Sequence, residues 1–375
     1  MKIGICFGGY CPMHQGHLDV IMRAKKENEL CFVIVCGYDN EPRAEQYSLP
    51  LWRRSQLIEE FLTDEQITVL EINDTFLGLD ESLSEDNWAK WFDYANGLIQ
   101  QQLRLKGVEM VNQYTWYVSE KSYETAITTI PKKRLMTGIV DPDKCSVVLM
   151  DKVNPVSGTL IRENPIKYWS KIVAPFRPYF SSNILITGTA SEGKSTLVKD
   201  IAKYFSLPYC EEYGRTYMAE RGLKDTDLTF DDFKEFLKGQ LEDITNKIKS
   251  PGNNGIVISD TDNIVTLMYA RAYASFPEMK ITEEEYEALE DIAMKMDKPQ
   301  QWKKIFVLPP KNEFVDEGSR YMKQSSMEER TSNYNILCDL LWKFGWWPGM
   351  VEVLNGNYYE NFNTVKNYIN GLLSE

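Results

Sequence analysis

The stretch Gly188-Thr189-Ala190-Ser191-Glu192-Gly193-Lys194-Ser195-Thr196 constrains this chain more than any other. Its spacing, G-x-x-x-x-G-K-S, is that of a phosphate-cradling P-loop, which requires a buried strand before it and a helix after it. Both flanks comply. Ile184-Leu185-Ile186-Thr187 is an apolar run, and residues 197–204 carry apolar side chains at helical spacing. In such a loop the backbone N–H groups hold the phosphates of ATP, Lys194 bridges the β- and γ-phosphates, and Ser195 faces Mg²⁺. Gly188, Glu192, Gly193 and Thr196 complete the expected ATP contacts. The next clear strand, residues 255–260, ends in Asp260, placed like a Walker-B carboxylate. Asp262 follows two residues on; one of the two would hold Mg²⁺ through water and the other take the acceptor hydroxyl's proton, with a helix N-cap as the alternative for Asp262.

A second strand-to-helix turn opens the chain. The sequence has two histidines, and both lie in Gly8-Gly9-Tyr10-Cys11-Pro12-Met13-His14-Gln15-Gly16-His17. The turn follows the apolar run 3–7 and precedes a helical segment, 18–24. His14 and His17 therefore stand at a helix N-terminus, a natural place for an anion. Gly16 between them suggests close approach of a ligand. A pair of metal ligands or a merely satisfied turn is the alternative, but no third ligand of the usual Cys/His type lies nearby at metal spacing.

The bulk properties narrow the class. A chain of 375 residues suggests two or three domains. Its net charge is −13, which argues against a broad nucleic-acid surface, so phosphate binding must come from local Lys, Arg and N–H groups. No run of eighteen apolar residues exists, so no membrane span is expected, and no signal peptide precedes the first strand. The seven cysteines form no C-x-x-C and several sit in apolar runs, which reads as reduced thiols in a cytoplasmic protein.

Further strands are expected at 30–37, 67–72, 114–118, 145–150, 303–308 and 351–354, with helices at 51–62, 88–105 and 362–373. Strands separated by helices imply an α/β fold with doubly wound parallel sheets. Prolines and serines break the pattern at 174–182. The expected organisation is one domain at 1–173, a linker at 174–182 and a second domain at 183–375.

Two resemblances sharpen this reading. Gly8, Tyr10, Pro12, His14, Gly16 and His17 match the G-x-(F/Y)-x-P-x-H-x-G-H signature of the nucleotidyltransferase superfamily of adenylyltransferases. Val156-Ser157-Gly158-Thr159-Leu160-Ile161-Arg162 resembles its later I-S-x-T-x-x-R signature, with Val for Ile at 156. The resemblance implies transfer of AMP from ATP to a phosphate. Gly8, Tyr10, Gly16, Ser157 and Thr159 would bind ATP, while His14, His17 and Arg162 stabilise charge moving onto pyrophosphate.

With both motif sets in order, the chain is similar to the NadR-type family across nearly its whole length. The added support is Val140-Asp141-Pro142-Asp143, Tyr168-Trp169, Glu212-Tyr213-Gly214-Arg215, Asp260-Thr261-Asp262 and Phe314-Val315-Asp316-Glu317-Gly318-Ser319-Arg320. The resemblance implies a ribosylnicotinamide kinase that makes nicotinamide mononucleotide (NMN), and an NMN adenylyltransferase that makes NAD, both using ATP with Mg²⁺. Glu212, Tyr213, Arg215 and Asp262 would line the kinase acceptor site, Arg320 would meet ATP, Trp88 would stack on nicotinamide, and Arg53 would contact phosphate. The helix-turn-helix module of enterobacterial members is not expected, nor is DNA binding; a homo-oligomer is left open. The rivals are a kinase with a nucleotide-sensing first domain, and a coenzyme A pathway adenylyltransferase/kinase fusion.

Overall fold

In the computed structural model the described residues are 1–62, 64–79, 84–133, 144–150, 156–296, 302–315 and 326–374. The expected contributions of Arg320, of residues 316–319 and of residues 140–143 lie outside them. The chain divides into two compact units, Met1–Tyr179 and Phe180–Glu375.

The first unit is built on β1 (Lys2–Gly8), β2 (Leu30–Gly37), β3 (Ile67–Asn73), β4 (Gln113–Val118) and β5 (Cys145–Leu149). They form a parallel sheet in the order β3-β2-β1-β4-β5. Its central strands are nearly continuous apolar runs because helices cover both faces. Ile3, Ile5, Phe32 and Ile34 are completely buried and pack with Trp91, Phe92 and Trp116. Each such aliphatic or aromatic side chain contributes about 1.5–3 kcal/mol by leaving water.

The second unit repeats the architecture with β6 (Ser182–Gly188), β7 (Tyr209–Cys210), β8 (Ile256–Ser259), β9 (Trp302–Leu308) and β10 (Val351–Val353), again all parallel, in the order β10-β9-β6-β8-β7. The two-residue strand β7 is too short to leave a periodic signal, and no sequence expectation covers it.

The stretch 174–182 is more ordered than a linker. Ala174–Phe176 is a turn of 3-10 helix, Arg177–Phe180 a turn of α-helix, and Ser182 already belongs to β6. Phe176 is fully buried, which is why these aromatics hold structure despite two prolines.

In each sheet the chain leaves the middle strand and the strand order reverses there: β1 lies between β2 and β4, and β6 between β8 and β9. Such a reversal opens a crevice at the carboxyl end of the middle strand. The two histidines follow β1 and the P-loop follows β6, so each motif occupies its sheet's crevice.

Candidate functional sites

At the first crevice, β1 ends in Gly8 and the chain turns through Tyr10, at φ 45°, into the helix Gln15–Glu27. His14 is the N-cap of this helix and His17 stands one turn in. The two imidazoles stack, with centroids 3.7 Å apart and planes 20° from parallel. The His14 N–H donates to His17 Nδ1 at 3.3 Å. That bond leaves the proton of neutral His17 on Nε2, where it is a donor. Tyr10 is buried and sets its ring edge-on to His17, centroids 4.8 Å apart. Its place is therefore behind the imidazole. The expectation for Gly16 is also corrected. A Cβ there would sit 3.2 Å from the His14 ring, so the close approach it permits is that of His14.

Ser157 caps the short helix Gly158–Glu163, accepting from the Leu160 N–H at 3.2 Å. Thr159 Oγ1 accepts from Arg162 Nη2 at 3.0 Å, and Arg162 Nη1 donates to the Cys11 carbonyl at 2.6 Å. Arg162 thus ties the two signatures together and brings its charge to the histidine turn.

Arg53 does not join this cluster. Its Nε donates to the Tyr179 hydroxyl at 2.7 Å and its Nη1 to Gln56 Oε1 at 2.9 Å. Its neighbour Arg54 does: completely buried, it donates to the Gly9 carbonyl and, at 2.8 Å, to Glu41 Oε2. The sequence carried this signal. Arg54 shares the buried stripe of Leu51, Leu57 and Ile58 on the helix Leu51–Leu62, whereas Arg53 lies a residue round the helix.

Beside the turn is a cavity of about 550 Å³, enough for a nucleotide. Phe7, Trp88, Trp91 and Tyr123 form an aromatic wall, faced by Glu41, Arg43 and Asp74. Trp88 lines it, 5.6 Å from Tyr123 and 6.2 Å from Phe7 between ring centroids. Asp74, Glu41 and Arg43 escaped the sequence reading because only the fold brings them to Trp88, and Asn87, its neighbour in the chain, belongs to no motif.

Burial sets the protonation of this site. It lowers His14 from an ordinary 6.5 to about 4 and takes His17 well below its ordinary value, with His14 adding to the effect. Burial, reinforced by Glu41 and opposed by Arg54, lifts Asp74 from 3.8 to about 6. The two effects have opposite slopes. Between pH 4 and 6.5 the unfolded chain binds protons at His14 that the folded chain refuses, so this contribution to stability grows as pH rises. Between pH 3.8 and 6 the folded chain keeps a proton on Asp74 that the unfolded chain releases, so that contribution falls as pH rises. Asp74→Asn should leave only the histidine slope. The resistance of the first unit to urea, read by hydrogen exchange of the β1 amides, should then climb more steeply over this range and exceed wild type at pH 7.5. An unchanged slope would rule out a protonated Asp74.

At the second crevice Gly188 has φ 148°, and a Cβ there would lie 2.4 Å from the Leu308 carbonyl oxygen, so no other residue fits. Gly193, at φ 80°, is the N-cap of the helix Lys194–Phe205. Thr196 stands in its first turn, exposed. Lys194 Nζ donates to the Thr189 carbonyl at 2.7 Å. Ser195 Oγ donates to Asp260 Oδ2 at 2.5 Å, while Asp260 Oδ1 is buried with no hydrogen-bond partner among the described residues. A hydroxyl and an unsatisfied buried carboxylate oxygen are the donor set of a Mg²⁺ site, so these residues fit the ion expected there. Burial raises the Asp260 carboxyl, and Lys194 pulls it back down.

Asp262 is a structural residue here. It caps the helix Asn263–Ala274, accepting from the Ile264 N–H at 3.0 Å, and its other oxygen accepts from Trp302 Nε1 at 3.1 Å. Glu192 departs further from expectation. Its carboxylate turns away from the phosphate cradle and accepts from the Lys311 N–H, the Asn312 N–H and Asn312 Nδ2 at 3.1–3.3 Å.

Glu212 lines a small cavity of about 40 Å³ with Gly214, Asp225, Phe236, Thr261 and Tyr269. A nucleoside can enter only if these walls move apart. Arg215 Nη2 donates to Glu212 Oε2 at 3.3 Å and so reaches the cavity indirectly. Tyr213 does not line it; its ring fills the space over Gly239, where a Cβ would come within 2.2 Å. Asp225 and Tyr269 were missed because neither belongs to a motif, and only the fold brings them to Glu212.

Comparison with known proteins agrees with this division. Residues 5–164 match the cytidylyltransferase-like family model and residues 183–360 the AAA domain model. The chain is 28% identical over 282 residues to the trifunctional NAD biosynthesis/regulator protein NadR of Salmonella typhimurium, and 28% over 280 residues to that of Escherichia coli. Each alignment covers 72% of this chain and 63% of the relative, so the chain spans less than two thirds of those proteins. Two solved structures superpose over all of it and 96% of their own length at 30% identity: a NadR protein in complex with NR, TM-score 0.78, and a NadR protein in complex with NAD and AMP-PNP, TM-score 0.76.

Proposed function

The chain belongs to the NadR family, and on that premise we propose that it converts nicotinamide riboside to NAD in two ATP-dependent steps, one in each unit. The observation that carries the reading is the pair of glycine-rich strand-to-helix turns, one at the reversal of each sheet, with an aromatic cavity beside the first and an acidic, aromatic one beside the second. Support comes from the relatives that bind NR, NAD and AMP-PNP.

In the second unit the riboside 5′-hydroxyl attacks the γ-phosphorus of ATP and loses its proton to water, the bond to ADP breaks, and NMN forms. The loop amides and Lys194 hold the phosphates. Ser195 and Asp260 would hold Mg²⁺, which when bound neutralises charge on the β- and γ-oxygens. Nicotinamide riboside carries a pyridinium cation, and Glu212 and Asp225 among aromatic rings suit a cationic ring.

In the first unit the NMN phosphate attacks the α-phosphorus of ATP and pyrophosphate leaves. The phosphate is already a nucleophile, so the protein need only position it and stabilise the departing charge. His17 Nε2–H, the stacked His14 and Arg162 are the donors for that charge. With desolvation holding both pKa values down, the imidazoles are neutral before ATP arrives and act as hydrogen-bond donors rather than as a standing positive charge. The aromatic wall with Trp88 would take the nicotinamide ring.

The test is a time course with the full chain, Mg²⁺, ATP and nicotinamide riboside. NMN should rise first and then convert to NAD and pyrophosphate. NMN without NAD would reduce the first unit to a sensor. No riboside consumption would reject the assignment and turn attention to coenzyme A precursors.

A further inference from the structure

The P-loop is braced from outside by a buried ion pair. Glu192 and Arg330 are 4% and 1% exposed, and Arg330 Nη2 pairs with Glu192 Oε1. Arg330 stands in the first turn of the helix Met327–Lys343 and its Nη1 donates to the Asn312 carbonyl at 2.7 Å. Glu192 Oε2 meanwhile accepts from both the Lys311 and Asn312 backbone N–H groups. One loop residue earlier, Ser191 Oγ accepts from the Val315 N–H at 3.0 Å. Segment 311–315 is thus fastened to two consecutive P-loop residues, with the Arg330 guanidinium as the central fixture.

The loop needs such a brace. Ser191 has φ 63°, Gly193 φ 80° and Gly188 φ 148°, three residues of positive φ within six positions. Ser191 has no glycine freedom to make this easy, and an unliganded loop would relax toward commoner conformations. The Glu192 and Ser191 side chains point outward to the brace, so the loop N–H groups are left for the phosphates.

We infer that Glu192 and Arg330 are positioning residues for ATP in the second unit: they hold the P-loop in its phosphate-binding shape before nucleotide arrives, and neither touches the nucleotide. The inference rests on the kinase reading of this unit.

The test is a double-mutant cycle in the full chain with Glu192→Gln, Arg330→Gln and both together, plus Arg330→Lys. Each single glutamine change should raise KM for ATP by about tenfold to a hundredfold, the scale on which small misplacements act. The maximal rate and KM for the riboside should stay within about threefold. The double variant should be no worse than either single, because one strut can be broken only once. Arg330→Lys keeps the buried charge and should recover most of the ATP affinity. NAD formation from supplied NMN, a property of the first unit, should be unaffected, and the retained maximal rate and riboside KM report that the second unit is folded. Multiplicative single effects, or an Arg330→Gln variant with wild-type KM, would overturn the inference and give Glu192 a direct nucleotide contact. Hydrogen exchange without nucleotide separates the two levels of the argument. Arg330→Gln should speed exchange across 188–194 and 311–315. Unchanged exchange there refutes the brace even if the wild type phosphorylates no riboside, whereas that inactivity alone refutes only the kinase reading.

Discussion

His17→Ala should lower NAD formation from NMN by about 10²–10³-fold, the usual loss when one donor to a developing oxyanion is removed, and leave riboside phosphorylation within about twofold. The size follows from the environment. His17 is half-buried, its Nδ1 is committed to the His14 N–H at 3.3 Å, and its Nε2–H is therefore a fixed donor. A donor already oriented needs no reorganisation as charge moves to pyrophosphate. Two further substitutions separate this role from helix capping. In His17→Asn the side-chain oxygen can still accept from the His14 N–H while the outer donor is gone; this variant should fold like wild type and be as slow as alanine. In His17→Gln the side-chain amide can supply the outer donor, and part of the activity should return. Full activity in His17→Asn would mean that His17 only caps the helix. Loss of both activities in a folded His17→Ala protein would break the two-site account. Because neither imidazole charges until pH falls well below 6.5, kcat/KM for this step should show no histidine titration between pH 6.5 and 8.

Lys194→Ala should abolish NMN formation to a similar extent, about 10³-fold, while NAD is still made from supplied NMN. A single positive charge about 4 Å from phosphate oxygens, in surroundings of intermediate dielectric, is worth about 4 kcal/mol, and about 1.4 kcal/mol is tenfold in rate. The loss should deepen as pH falls. Lys194 is the largest influence opposing the burial-driven rise of the Asp260 carboxyl, so without it Asp260 protonates more readily. A protonated carboxyl is a poor Mg²⁺ ligand. As pH is lowered at fixed, subsaturating Mg²⁺, the rate should therefore fall more steeply in the variant than in wild type. An unchanged kinase rate would remove the P-loop from the chemistry.

Local sequence was enough for much of this. Apolar runs of strand length, each followed by a glycine-rich turn and a helical pattern, determined two parallel α/β units. Gly188, Gly193, Lys194 and Ser195 were legible because a phosphate cradle needs those residue types at that spacing. His14 and His17 were legible because the chain has no other histidine. Among neighbours of equal chemistry, periodicity could have gone further: the buried stripe of one helix separates Arg54 from Arg53.

The direction of a side chain, in contrast, belongs to the tertiary structure. Glu192 sits within a nucleotide motif, yet it turns outward because Arg330, 138 positions later in the chain, is buried beneath it. Asp262 stands two residues from Asp260, yet Trp302 and a helix N-terminus take both its oxygens. Gly16 is spaced like a ligand contact, yet it makes room for an imidazole. The sequence by itself determined which backbone turns can bind phosphate, since that depends on glycine, strand and helix over about ten consecutive residues. Only the fold decided which side chains face the phosphate and which brace the turn, because desolvation and pairing are settled by residues that meet from distant parts of the chain.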